Sequence, residues 1–423
     1  MDTIFAQATA PGRAGVAIVR LSGPLARKAA ERLAGPLPES GRSLRWLRGA
    51  DGAKIDEALV LTFPEGQSFT GEIIVEFQTH GSIAVVAAIK CELAAMAGMR
   101  HAEAGEFTRR ALENGQLDLA QVEGLADLLA AETEAQRRQA MRVMSGELGD
   151  VVDSWREGLI RALAMVEATI DFAEEDVPED VSHLLRGPVE EIRAEMLRLA
   201  AGATMAERLR EGFEVAITGA PNMGKSTLLN RLAGRDAAIT STIAGTTRDV
   251  LEVRLDLAGL PVTLLDTAGL RESADALERL GIERARARAE RADLRIHLVE
   301  DVDAAAETAG PFDIVLRAMD DDGTSGGVSG LTGAGVDALV REIGERLGHM
   351  SSEAGLATRE RHRQALLSAA AHLEAARGGS LVARPEEVAE ELRLALRAID
   401  GIVGRVDVED VLDVVFASFC IGK

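Results

Sequence analysis

The stretch GAPNMGKST at 219–227 constrains this chain more tightly than any other part of it. Two glycines with four residues between them, followed by Lys and a hydroxyl residue, let successive backbone N–H groups encircle phosphate oxygens at the start of a helix. That geometry requires a strand before the loop and a helix behind it. Both patterns are present: Val215 to Thr218 is a short apolar run, and Thr227 to Leu232 has helical texture. In such a loop Lys225 meets the β- and γ-phosphates and the Ser226 hydroxyl binds Mg²⁺, with Asn222, Met223, Gly224 and Thr227 completing the cradle.

The surrounding residues predict an α/β domain. Val262 to Leu265, Leu294 to Val299 and Ile314 to Leu316 read as further buried strands alternating with helices, the pattern of a mostly parallel sheet. LEVRLDLAGLPVTLLD alternates apolar and charged residues around a glycine turn and predicts an antiparallel hairpin at one sheet edge. Residues 320–335 form a Gly-rich loop region. Asp266-Thr267-Ala268-Gly269 ends a strand, where an acid reaches a Mg²⁺ shell and an N–H senses a γ-phosphate. Between the two motifs, AGTTRD at 244–249 offers Thr247 as a second Mg²⁺ hydroxyl. Three elements in this order match a nucleotide-hydrolysis switch. The place after the Asp-x-x-Gly motif, where a water-orienting Gln is common, holds Leu270, which cannot polarise water. Arg271, Glu272, Asp275 and Glu278 follow as candidates, or as ordinary exposed helix charges.

Length and composition set the rest. At roughly 150 residues per domain, 423 residues suggest about three domains. Residues 1–114 mix short β-like runs (Val16 to Leu21, Leu59 to Phe63, Ile73 to Phe77) with Gly/Pro turns and a helical run near 81–98, an α+β domain. Residues 115–210 are nearly all helical, broken by the acidic DFAEEDVPED; 211–347 hold the α/β domain; helical texture returns over 348–423. The expected fold class is multi-domain, with the α/β domain inserted into an all-α one. The formal charge of −22 disfavours phosphate backbones as direct partners, so any RNA would need a basic patch or a helper protein. Two cysteines exclude a disulfide framework, no apolar run reaches membrane-spanning length, and the N-terminus does not read as a signal peptide. A cytoplasmic protein with no membrane partner is expected.

Residues from one end of the chain to the other resemble the tRNA-modifying GTPase family known as MnmE or TrmE. DTIFAQATAPGRAGVAIVRLSG, SFTGEIIVEFQTHGS and GEFTRRALENGQLDLAQVEGLADL resemble its N-terminal folate-domain segments. PNMGKSTLLNRLAGRDAAITSTIAGTTRDV and DTAGLRESADALERLGIERA resemble its GTPase core, and the chain ends in the family's FCIGK. The resemblance implies an N-terminal domain that binds folate and dimerises, a helical domain, and an inserted P-loop GTPase domain. It also implies a flavoprotein partner, MnmG, with which a homodimer modifies the wobble uridine of certain tRNAs. The one-carbon unit would come from a tetrahydrofolate derivative (5-formyl- or methylene-tetrahydrofolate).

Carried over by position, Asn222 matches a K⁺ ligand, and Ser241, Ile243 and Thr246 match the loop completing that coordination, with Thr242, Ala244 and Gly245 beside it. This K⁺ takes the place of an arginine finger. Glu278 matches the family's water-orienting glutamate; Arg20, Glu76 and, at the family's Lys position, Gln116 match the folate pocket; Cys420 matches the terminal cysteine, which on residue type alone is a buried thiol. The base-reading N-K-x-D falls on Arg317-Ala318-Met319-Asp320, with Asp321 and Asp322 able to take the Asp320 place by a slip, and Ser329 is retained from the following Ser motif. Two rivals stand beside this: a P-loop GTPase of ribosome assembly, and a nucleotide-binding scaffold that does not turn over.

Overall fold

A computed structural model describes residues 2–171, 182–234, 252–266, 287–306, 309–310, 312–352, 354–379 and 384–406, together with Leu412, Val415, Phe416, Phe419 and Gly422. The chain forms two compact units, one of residues 1–126 with 400–423 and one of residues 127–399.

The first unit is built on a six-stranded sheet of β1 (Thr3–Gln7), β2 (Ala14–Ser22), β3 (Gly41–Arg48), β4 (Lys54–Phe63), β5 (Ile74–Gly81) and β6 (Met99–His101), in the order β3-β4-β5-β2-β1-β6. Its pairings are antiparallel except for β1 with β6. Strand alternation sorts the side chains between two faces. Phe5, Val19, Leu21, Val75 and Phe77 pack in one core with α1 (Ala26–Ala34) and α2 (Ile83–Ala94). Ile4 and Ala6 point the other way, into a smaller cluster with Phe107 of α3 (Glu106–Glu113). Arg20 and Glu76, which alternate with Val19/Leu21 and Val75/Phe77, therefore belong to this second face. The helix α4 (Leu119–Ala130) follows.

The end of the chain belongs to the same unit, although its helical texture groups it with residues 348–399. Phe416 and Phe419 are buried with ring centroids 6.1 Å apart, and the Arg109 guanidinium lies 4.9 Å from the Phe416 ring. Gly105 faces Phe416 so closely that a Cβ there would sit 3.0 Å from it.

The second unit holds α5 (Glu134–Met144), α6 (Glu147–Asp171), α7 (Ser182–Glu211), the sheet strands β7 (Phe213–Gly219), β8 (Glu252–Leu257), β9 (Leu260–Asp266), β10 (Leu294–Val299) and β11 (Ile314–Arg317), and helices α8 (Lys225–Ala233), α9 (Val302–Ala306), α10 (Val336–Ser351), α11 (Glu360–Gly378) and α12 (Pro385–Val403). The start of α5 is fixed by a capping box, in which Thr133 Oγ1 accepts from the Gln136 N–H and the Gln136 side chain accepts from the Thr133 N–H. The sheet order is β11-β10-β7-β9-β8, parallel except for the β8–β9 hairpin at its edge, as the alternation in 251–266 predicts. Val215, Ile217, Val262, Leu264, Ile296 and Leu298 make its core with Leu228 and Leu232 of α8 and Leu339 and Ile343 of α10. Among the described residues no helix is long and apolar enough to cross a membrane.

Candidate nucleotide site

The chain leaves β7 toward β9 on one side and later returns to β10 on the other, so β7 is where the strand order switches. In an open parallel sheet the crevice at the carboxyl ends of the strands opens at such a point, and ligands bind there. The loop 220–224 occupies it, between the end of β7 and the start of α8.

The local geometry follows from residue type. Gly219 has φ +141°, and a Cβ there would lie 2.4 Å from the Leu298 carbonyl oxygen, so only glycine lets β7 end against β10. Gly224, the residue before α8, has φ +79°. Asn222 adopts φ +67°, a region that Asn tolerates better than most residues, and its side chain is exposed. Lys225 is 6% exposed, and its ammonium donates to the Gly219 and Ala220 carbonyls at 2.8 Å each. The charge is thus held at the mouth of the loop, beside the first N–H groups of α8, which lack intrahelical acceptors as at every helix start. Ser226 is in the first turn of α8, and Asp266 closes β9 in register with Ile217 of β7. The sequence candidates Ser241, Thr242, Ile243, Ala244, Gly245, Thr246, Thr247, Thr267, Ala268, Gly269, Arg271, Glu278 and Cys420 lie outside the described residues.

A cavity of about 250 Å³ adjoins the loop, lined by Asn222, Met223, Gly224 and Thr227 on one side and by Met319, Asp321, Ser329 and Leu331 on the other. Ser329 lines it and Asp320 does not. Asp320 is 5% exposed, and its carboxylate accepts N–H bonds from Gly327 (2.8 Å) and Ser325 (3.2 Å). Burial opposes its ionisation, but the Gly327 and Ser325 donors outweigh that and hold the carboxyl below its ordinary range. Asp321 is exposed toward the cavity and accepts the Ser329 hydroxyl proton at 2.5 Å. Arg231 of α8 clamps the same loop by donating to the Gly330 (3.2 Å) and Leu331 (2.6 Å) carbonyls. Sequence reasoning passes over Arg231; nothing in its spacing marks it, since its partners lie a hundred residues away.

The other group of candidates lies on the second face of the first unit. Arg20 and Glu76 are register partners on β2 and β5, and Arg20 Nε donates to Glu76 Oε1 at 2.7 Å. The guanidinium lies 5.8 Å from the Phe69 ring and 5.7 Å from that of Phe107. Gln116 packs beside Gly71, two residues from Phe69, with its amide exposed. A charge network fixes this face: the buried Arg110 of α3 donates to Glu72 (3.1 Å), Glu106 (3.0 Å) and the exposed Asp2 (2.8 Å), while Ser22 donates to Glu72 at 2.6 Å.

Comparison with known proteins agrees over the whole length. Residues 3–116 match the family described as GTP-binding protein TrmE N-terminus, and residues 119–420 the one described as MnmE helical domain. The chain is 56% identical to the tRNA modification GTPase MnmE of Ruegeria pomeroyi over 430 aligned residues, all of both chains. It is 56% identical to that of Dinoroseobacter shibae and 51% to that of Paracoccus denitrificans, again over the full length of both. With two family domains matched in order and relatives aligned from end to end, the chain belongs to the MnmE family of tRNA modification GTPases.

Proposed function

We propose that this chain is the GTP-hydrolysing component of a tRNA wobble-uridine modification system, working as a homodimer with a flavoprotein of the MnmG kind to install a carboxymethylaminomethyl-type group. The observation that carries this is the phosphate loop, with Lys225 buried at its mouth, in a chain that aligns over its full length with MnmE proteins. An arriving phosphate would displace the Gly219 and Ala220 carbonyls from the Lys225 ammonium, exchanging two neutral acceptors for a charged one. The N–H groups at the start of α8 supply fixed dipoles that need no reorganisation as charge develops.

The donors expected around the metals, Ser226 and Thr247 for Mg²⁺ and Asn222, Ser241, Ile243 and Thr246 for K⁺, offer oxygen, which suits both ions. Of the K⁺ set, Asn222 is at the turn of the loop with its side chain exposed. When bound, these cations neutralise charge between the β- and γ-phosphates. Glu278 is proposed to orient the attacking water, since Leu270 cannot.

For folate, Glu76 offers a carboxylate to pterin N–H donors, Arg20 retains its Nη groups for an anionic group, and the partly exposed Phe69 offers a flat apolar face. A tetrahydrofolate derivative bound there would supply the one-carbon unit. With a net charge of −22, contact with tRNA is proposed to run mainly through the flavoprotein. Mass spectrometry of tRNA nucleosides from a strain lacking the gene tests the central claim. Loss of the wobble modification is expected, and unchanged nucleosides would overturn it.

A further inference from the structure

We propose that His297 is a positioning residue of the phosphate loop that takes up a proton from solvent when nucleotide phosphates bind; this rests on the GTPase reading above. Thr218 is the β7 residue immediately before Gly219, whose carbonyl holds Lys225. It stands opposite His297 of β10 in the sheet register, and Thr218 Oγ1 and His297 Nδ1 are 2.7 Å apart. The other ring nitrogen, Nε2, lies 3.1 Å from Asp313 Oδ2. Asp313 immediately precedes β11, and Arg295 donates to both of its oxygens at 2.9 Å. One imidazole thus ties the end of β7 to the start of β11, at the place where the phosphate loop begins.

The proton positions follow from the partners. A carboxylate only accepts, so in the neutral ring the proton is on Nε2, and Nδ1 accepts from the Thr218 hydroxyl. In the charged ring both nitrogens donate. Thr218 Oγ1 then accepts from Nδ1, and its own proton turns to the Ile296 carbonyl, 3.3 Å away. Gaining a proton therefore breaks no contact. The side chain is 29% exposed, so the proton comes from water.

The choice between the two states is left to the surrounding charges, here taken among the described residues. Arg295 and Arg317 share the face of His297 on β10 and β11. On β7 the charged residue of that face is Glu214, at the far end and bound to Arg288, while Asp266 of β9 belongs with Ile217 to the opposite face. Arg346 of α10 reaches the Asp313 carbonyl and is paired with Glu342. Beyond the strand end, Glu300 and Asp303 of α9 are exposed to screening by salt. Phosphates at the loop add strong negative charge one residue from Thr218, which favours the charged ring. Coupling of this kind is reciprocal, so the charged ring in turn favours phosphate.

The test is calorimetry of the full-length protein with GDP and Mg²⁺ across pH 5 to 8, the range in which histidine changes charge. Each titration is run in two buffers of different ionisation enthalpy, and the difference in heat counts the protons taken up. GDP itself titrates, so wild type is compared with His297→Asn, whose amide oxygen replaces Nδ1 opposite Thr218 but cannot be protonated. Wild type should take up more protons than the variant. The ratio of wild-type to variant affinity should rise at least about 5-fold from the alkaline to the acid end, the lower end of coupling between linked sites. Equal uptake, or one affinity ratio at every pH as a purely structural histidine would give, overturns the proposal. If His297→Asn does not fold, His297→Gln replaces it, with its amide toward Asp313, and the same two readings decide. A wild-type chain that binds neither GDP nor GTP would instead defeat the GTPase reading itself.

Discussion

Replacing Arg110 by Met should destabilise the first unit by about 3 kcal/mol, the lower end of what breaking a buried ion pair from one side costs. Arg110 is 8% exposed, and the side chains of its partners Glu72 and Glu106 are 10% and 11% exposed. Methionine keeps most of the packing volume but removes the donors. Glu106 retains Arg100 and the Glu103 N–H, whereas the Glu72 carboxylate keeps the Ser22 hydroxyl, so most of the cost should fall on Glu72. Adding Glu72→Gln should recover at least about 1 kcal/mol, because the stranded charge is gone. The two tryptophans, Trp46 in the first unit and Trp155 in the second, allow a clean assay. Urea unfolding in a Trp155→Phe background, followed by Trp46 fluorescence, reports the first unit alone.

Acid supplies a second check with a defined sign. Burial raises the Glu106 carboxyl, but hydrogen bonds from Arg100, the Glu103 N–H and Arg110 outweigh it and leave the group below its ordinary 4.5. A carboxyl lowered by folding adds stability that is fully present above its unfolded value and disappears as pH falls through its folded value. The gap between wild type and Arg110→Met should therefore be widest above pH 4.5 and shrink below it. A gap under about 1 kcal/mol at neutral pH, the range of a surface pair, or one that grows in acid, would refute the reasoning. Since α3 also carries Phe107 against Arg20, folate affinity should fall in the same variant.

Three further outcomes are expected. Gly330→Ala would place a Cβ 2.5 Å from the Leu228 nitrogen and 2.6 Å from the Thr227 carbonyl carbon, both α8 backbone, so it should cost about 1–3 kcal/mol and weaken every nucleotide; wild-type melting and affinity would contradict this. Hydrolysis should run faster in K⁺ than in Na⁺ at equal ionic strength, and Asn222→Ala should remove most of the difference; equal rates in the two salts would sink the K⁺ site. Glu278→Ala should slow turnover by roughly 10²–10⁴-fold with little change in nucleotide affinity, and normal turnover in a single-turnover assay would return Glu278 to the surface charges.

The sheet of the second unit is largely legible in the sequence because parallel strands buried on both faces leave apolar runs that only strands of that length explain. Leu294 to Val299 is β10 end to end, and Val215 to Thr218 marks the middle of β7. The strands that escape reading lie in the first unit, each for its own reason. In β1 residues Thr3–Ala6 are all buried, so no alternation marks it. In β3 Arg42, Arg45 and Arg48 interrupt the pattern, which an edge strand tolerates because one side faces water. The three residues of β6 are too few to carry any period. Periodicity also cannot say which core an amphipathic helix joins, and so Phe416 reads as part of the helical region although it packs on Gly105.

The base loop shows a different limit. A motif read as a string assumes that the strand before it ends at a fixed place, and three consecutive aspartates remove the landmark that would set the register. What sets it in the folded chain is hydrogen-bond demand. The turn at Met319 leaves the N–H groups of Ser325 and Gly327 needing an acceptor inside the loop, and the first aspartate after the turn is the one close enough to satisfy both. Its neighbour, one residue on, points the opposite way and meets Ser329. Either aspartate keeps acceptor capacity, but Asp320 is turned into its own loop whereas Asp321 lines the cavity beside the phosphate loop. Which carboxylate faces the cavity is therefore decided by how the loop satisfies its own backbone, a property that no single residue identity encodes.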